Sequence, residues 1–178
     1  MRMMLMAGPV VFGVLLGACG PREPVVGEPL PGGSIATATM RTATGAEAGR
    51  ATAREVAGGV RFTIDARGVP AGTHGAHVHT TGRCDAPGFE SAGPHWNPTA
   101  AKHGSNNPQG PHLGDLPNIT IGADGRGTLS LVMEGATMAG LMDADGAAML
   151  IHAAADDLQT DPSGNSGARI ACGVFQAG

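Results

Sequence analysis

Seven histidines are spread unevenly over 178 residues: His74, His77 and His79 stand together, His95, His103 and His112 follow, and His152 stands apart. In HGAHVHTTG, His77 and His79 are two residues apart. On a strand both imidazoles then leave the same face, where they suit one shared ion of the copper or zinc type. An H-x-H pair alone is as readily a surface coincidence; the other five histidines shift the reading toward a metal site. His95 lies in SAGPHWNP, His103 in KHG, and His112 with Asp115 in PHLGDLPN, at spacings of eight, nine and three residues. Three imidazoles and one carboxylate make a closed tetrahedral shell of the kind that holds a structural zinc. His152, in MLIHAAADD, ends a strand-like run and is a further donor for the metal of the H-x-H pair.

These donors need a frame. Hydrophobic residues make up 42% of the chain but aromatic ones only 3%, so the core must come from Val, Ile, Leu, Ala and Met. Thirty glycines and thirteen prolines imply many turns and few long helices, which points to an all-β class. Val60, Phe62, Ile64 and Ala66 alternate with Arg61, Thr63, Asp65 and Arg67, the period of a half-exposed strand. Similar short runs lie near 34–44, 50–58, 74–80, 117–122, 127–133, 147–152 and 168–175. Gly45, Gly58-Gly59, Asp124-Gly125 and Asp145-Gly146 punctuate them as turns. Eight such strands predict a sandwich or barrel. Two segments break the rhythm: 81–115, irregular and rich in Gly, Pro and His, and the shorter, polar 153–167. A loop as long as the first must be tied down; Cys84 at its start and the metal donors along it are the ties.

The amino terminus reads as a leader. Arg2 precedes a short apolar stretch, 7–17, that is brief for a bilayer span and ends in Leu16-Gly17-Ala18-Cys19. This resembles a bacterial lipobox; an ordinary secretory signal followed by an unrelated cysteine is the alternative. On the first reading 1–18 is a lipoprotein-type signal peptide, Cys19 is lipidated, 19–33 is a Pro- and Gly-rich tether, and 34–178 is the folded domain. The expected location is the periplasm or cell envelope, anchored at the outer membrane through Cys19 alone. Cys84 and Cys172 then remain, and in an oxidising compartment they are expected to form a disulfide, two buried free thiols being the other possibility. The net charge is −4 and the only lysine is Lys102, so no basic patch is expected and nucleic acid is excluded as a partner.

Taken in chain order, GTHGAHVHTTGRC (72–84), SAGPHWNP (91–98), KHG (102–104), PHLGDLPN (111–118), IHAAADDL (151–158) and GNSGARIACGV (164–174) resemble the copper–zinc superoxide dismutase family. The resemblance covers about residues 72 to 174. It implies an eight-stranded antiparallel Greek-key sandwich or barrel with two long functional loops. It also implies disproportionation of superoxide to dioxygen and hydrogen peroxide by a copper redox cycle, with zinc structural. One copper per subunit would be held by His77, His79, His95 and His152, and one zinc by His95, His103, His112 and Asp115. His95 would bridge the two as an imidazolate, an ionisation that only adjacent dications make accessible. Asp156 would join ligand histidines of both metals, and His74 would be a structural histidine. Arg169 would dock the anionic substrate; a solvated strand-edge arginine is the plainer alternative.

Two departures from the family pattern stand out. Ala76 occupies a position where many relatives carry Phe, and 156–167 contains no lysine, which leaves Lys102 or Arg83 to guide the anion. A metal-delivery module and a zinc-stabilised attachment domain are the competing functions. The presence of every ligand position and of Arg169 favours the enzyme, as a monomer or a homodimer.

Overall fold

Alternation becomes register. A computed structural model describes residues 25–178, so the leader and Cys19 lie outside the described residues. The strands are β1 Ile35–Thr42, β2 Glu47–Val56, β3 Gly59–Arg67, β4 Gly72–His74, β5 Ala76–His79, β6 Ile119–Ile121, β7 Arg126–Glu134, β8 Ala148–His152, β9 Arg169–Val174 and β10 Gln176–Ala177. The main sheet runs β5-β8-β9-β1-β2-β3-β7, with β10 also on β1, and β4 pairs β6 in a second, small sheet. Every pairing is antiparallel. Placing β9 beside β1 and β8 beside β5 requires the crossing connections of a Greek-key sandwich or barrel. The all-β class expected from the sequence is the one found.

The details differ in several places. The single run expected at 74–80 divides at Gly75, whose N–H donates to Ala154 O and whose carbonyl accepts from His152 N–H. The chain thus leaves β4, in the small sheet, and joins the main sheet as β5. The other additions are β10 and a one-turn helix, α1 Met138–Leu141, capped by Thr137. Both are too short to carry a periodic signal. Residues 25–33, part of the stretch read as tether, run along the β2–β3 turn: Pro29 bridges Val56, Gly27 N–H donates to Ala57 O, and Ala57 N–H donates to Glu28 O.

The inward positions of β1, β2 and β3 are apolar and buried, with Met40, Phe62 and Ile64 among the largest fully buried side chains. They join Val78, Trp96, Leu116, Ile119, Met149, Ile151 and Phe175 in the main core. Burying a side chain of Phe62's size contributes roughly 1.5–3 kcal/mol. β8 is buried along its whole length because both its faces are covered. Met149 and Ile151 enter the main core, while Ala148 and Leu150 pack with Phe89, Ala92 and Cys172 in a second cluster. The Cys84–Cys172 disulfide, joining residues 88 apart, staples the loop after β5 to this outer face. Among the described residues no helix is long and apolar enough to cross a membrane.

Candidate metal centre

β5 is an edge strand, and its free edge is taken up by the long loop. Val78 faces the core, so His77 and His79 face the other way, opposite Leu150 and Ala148 of β8. His152, at the end of β8, shares that outer face. The loop then threads beside β5: Trp96 N–H donates to Val78 O (2.8 Å), Val78 N–H to Gly114 O (2.9 Å) and Gly114 N–H to Trp96 O (2.8 Å). These bonds bring His95 opposite His79 and Asp115 opposite His77. The approach requires glycine at 114, since a Cβ there would meet Val78 O at 2.3 Å. Trp96 anchors the same stretch in the core.

Two sets of donors result. In the first, one ring nitrogen each of His77, His79, His95 and His152 lies within 4.8 Å of the others. In the second, the Nδ1 atoms of His95, His103 and His112 lie 2.8, 3.1 and 3.0 Å from Asp115 Oδ1. Tetrahedral donors on bonds of about 2.0 Å stand about 3.3 Å apart, close to these separations. His95 belongs to both sets, through Nε2 and Nδ1 respectively. The remaining atoms of these residues are occupied: His79 Nδ1 donates to Gly93 O (2.8 Å) and His152 Nδ1 to Gly167 O (3.1 Å). Asp115 Oδ2 accepts from the N–H groups of Gly104 (2.8 Å) and His112 (3.0 Å). Asp156 spans the sets, accepting from His77 Nε2 (2.6 Å) on one oxygen and His103 Nε2 (3.0 Å) on the other.

Against this order, His77 Nδ1, His79 Nε2, His95 Nε2, His103 Nδ1 and His152 Nε2 are buried without a hydrogen-bond partner among the described residues. Each such desolvated atom costs about 1–3 kcal/mol if left bare. Four of them converge on the first set and His103 Nδ1 turns into the second, the signature of cation sites, and neutral imidazole nitrogen suits copper and zinc. The residues fit the two ions.

Protonation follows the same division. Burial, helped by the neighbouring His95 ring, pushes His79 down to about 2, and burial with the nearby His77 ring takes His152 to about 3. Burial also lowers His95, to about 4, against the pull of Asp115. At His103 burial acts downward too, but the adjacent carboxylates of Asp115 and Asp156 outweigh it and raise the ring to about 9. Burial would raise both carboxyls; the hydrogen bonds they accept, first from His103, hold Asp115 and Asp156 well below the usual carboxylate range.

A cavity of about 430 Å³ opens onto the first set, lined by His79, His95 and His152 on one side and Arg169 on the other. Arg169 donates to Phe89 O (2.7 Å) and Gly93 O (2.8 Å), so it is held by the stapled loop rather than free in solvent. Glu90 stands 4.0 Å from it at the mouth. The sequence gives no sign of Glu90 or of the Gly93 carbonyl as parts of the site. Lys102 and Arg83, the basic residues considered for guidance, pair with Asp161 (2.9 Å) and Asp85 (2.6 Å) and do not line this cavity. The ring nitrogens of His74 face His152 O (2.8 Å) and Pro70 O (2.9 Å), joining β4 to β8 behind the site.

Comparison with known proteins agrees with this geometry. The family described as "Copper/zinc superoxide dismutase (SODC)" matches residues 47–175. A superoxide dismutase (Cu-Zn) of Caulobacter vibrioides is 40% identical over 148 residues, spanning 79% of this chain and 85% of its own length. One from Deinococcus radiodurans is 39% identical over 183 residues, spanning 94% and 93%. A crystal structure of a SOD-like protein from Bacillus subtilis superposes with a TM-score of 0.74 at 37% identity, covering 79% of this chain and 97% of that one. The family match over 47–175, the identity to these relatives over most of both chains, the superposition and a two-set histidine centre lead to one conclusion: the chain belongs to the copper/zinc superoxide dismutase family.

Proposed function

We propose that His77, His79, His95 and His152 hold the copper and that His95, His103, His112 and Asp115 hold the zinc, with Arg169 receiving the substrate. The protein is an enzyme that disproportionates superoxide to dioxygen and hydrogen peroxide with one copper and one zinc per subunit. The convergence of five unpartnered buried ring nitrogens carries the ligand assignment. When bound, copper supplies a one-electron couple and zinc a fixed positive charge on the shared ring. The chain supplies the rest. The Arg169 guanidinium, permanently charged, binds a small anion inside the cavity. His95 Nε2 faces that cavity and, whenever it is not engaged by copper, can hold and release the proton that reduced dioxygen requires. Asp156, by accepting from Nε2 of His77 and of His103 at once, fixes both rings so that their Nδ1 atoms point toward the two sites.

Elemental analysis of the purified protein is expected to give equal copper and zinc. His152→Ala should lose copper and turnover while keeping zinc; unchanged turnover would overturn the assignment. Arg169→Gln should lower the rate at limiting superoxide by about tenfold or more, the scale of electrostatic guidance.

The location is proposed on separate grounds. The Leu16-Gly17-Ala18-Cys19 sequence supports a lipoprotein signal over 1–18, a lipidated Cys19, a tether over 19–33 whose part from 25 onward lies on the domain, and a domain over 34–178 in the cell envelope. The disulfide supports an oxidising compartment. The mature protein should begin at an acylated Cys19 by mass spectrometry; an unmodified Cys19 or an uncleaved leader sinks this reading.

A further inference from the structure

Far from the metal centre in the strand order, the outer face of β1, β2, β3 and β7 carries a charge pattern the composition hides. Of eleven Lys and Arg residues, Arg2 and Arg22 precede the described residues. Six of the remaining nine (Arg41, Arg50, Arg54, Arg61, Arg67 and Arg126) stand at outward positions of these four strands. No basic patch was expected from a chain of net charge −4; register makes one. Three acids share the face, Glu47, Asp65 and Glu134, so cations lead six to three.

Two of the cross-strand pairs are complementary, Arg41 opposite Glu47 and Arg50 opposite Asp65, but two are not. Arg54 lies directly opposite Arg61, and Arg67 directly opposite Arg126. Like charges in direct cross-strand pairs destabilise a sheet. Arg67 is paired with Glu47 and Arg61 donates to Gly27 O (2.8 Å). The side chains of Arg50, Arg54 and Arg126 are exposed and make no hydrogen bond or ion pair among the described residues, although Arg50 faces Asp65 across the strands. Between the cationic rows runs a row of hydroxyls, Thr37, Thr52, Thr63 and Ser130, in register across the four strands. Arg50, Arg67 and Arg126 also rim a depression of about 340 Å³, with Asp65 in its wall. Guanidinium forks with hydroxyl donors between them match phosphate oxygens.

We propose that this face docks on an anionic lipid bilayer, its arginines against headgroup phosphates. The choice of lipid over other polyanions rests on the tether reading above. The described chain begins at Val25, only six residues after Cys19, a reach of at most about 20 Å. Val25 and Val26, the exposed large apolar residues among those described (66% and 57%), lie at the Arg61 end of this same face. An acyl chain on Cys19 therefore brings this face, and not the metal cavity, next to the membrane. β5 and β8, at the other end of the strand order, are left turned toward solvent.

The test uses the protein purified from its producing cell, its amino terminus identified by mass spectrometry. It is bound to vesicles of phosphatidylcholine alone or mixed with phosphatidylglycerol, then treated with an arginine-directed dicarbonyl. Arg50, Arg54 and Arg126 should be modified several-fold more slowly on the mixed vesicles, about fivefold for each cation in contact. High salt should abolish the difference, and Arg83, on the disulfide loop, should show none. The triple variant R50Q/R54Q/R126Q should keep superoxide turnover and lose the phosphatidylglycerol-dependent part of binding, about a hundredfold. Equal modification on both vesicle types overturns the proposal, as does protection by a soluble polyanion without protection by mixed vesicles. Failure of the tether reading is seen separately, as an unmodified Cys19, and leaves the arginine measurement valid.

Discussion

The two ends of one sheet are stabilised in different ways. Around β2, β3 and β7 the ladder is unbroken over nine residue pairs from Gly59↔Glu134 to Arg67↔Arg126. One face is core and the other carries charge, so burial of Val60, Phe62 and Ile64 suffices to hold it. Around β5 and β8 both faces are buried, and the outer one is filled with imidazoles whose bare nitrogens face one another. Repulsion and desolvation there must be offset from outside the chain. The first end is a fold that carries its own stability; the second is a fold that completes itself on cations.

Removing both metals should separate the ends most. Chelation is expected to leave the amides of β2, β3 and β7 protected from exchange while those of 94–118 and 153–168 open. The loss is about 4 kcal/mol for each ion present at a thousandfold its dissociation constant. Equal protection at both ends would dissolve the contrast. Next in size, Phe62→Ala should cost about 3–5 kcal/mol in denaturant unfolding and leave copper and zinc content unchanged. Metal loss in that variant would show the ends to be one unit. Asp156→Asn removes the carboxylate that both sets share, and affinity should fall about 10–100-fold for both ions in chelator competition. A loss at one ion alone would mean that Asp156 serves only that set.

The smallest effect is in pH. His103, raised to about 9 in the metal-free chain, is protonated at neutral pH and must shed that proton to bind. Zinc affinity should thus fall about tenfold for each unit of pH below 9, with proton release seen by calorimetry in buffers of differing ionisation heat. His79 and His152, lowered to about 2 and 3, shed none between pH 5 and 8. Zinc uptake without proton release would remove this asymmetry.

Much of this was legible before any coordinates. Alternation over 60–67 marks β3 because its period is local, and the histidine words carry the resemblance because their spacing is local too. What spans strands was hidden. The six arginines lie on four strands, and only register shows that Arg54 meets Arg61 and Arg67 meets Arg126. The division of 74–80 at Gly75 depends on a carbonyl 79 residues away, on Ala154. Which nitrogen of each ring is left bare depends on partners such as Gly93 and Gly167, whose sequence neighbours give no hint of it.

The carbonyl of Gly93 accepts from both His79 Nδ1 and Arg169 Nη2, each at 2.8 Å. Its residue sits at φ +73, where a Cβ would also strike Thr80 Oγ1 at 2.8 Å. A single peptide oxygen is therefore the pivot on which the proposed copper ligand and the proposed anion receptor are jointly hung. On that assignment, evolution cannot retune the attraction for substrate at Arg169 by shifting that oxygen without also altering the basicity of the His79 imidazole. Speed of capture and ease of electron exchange are inherited together.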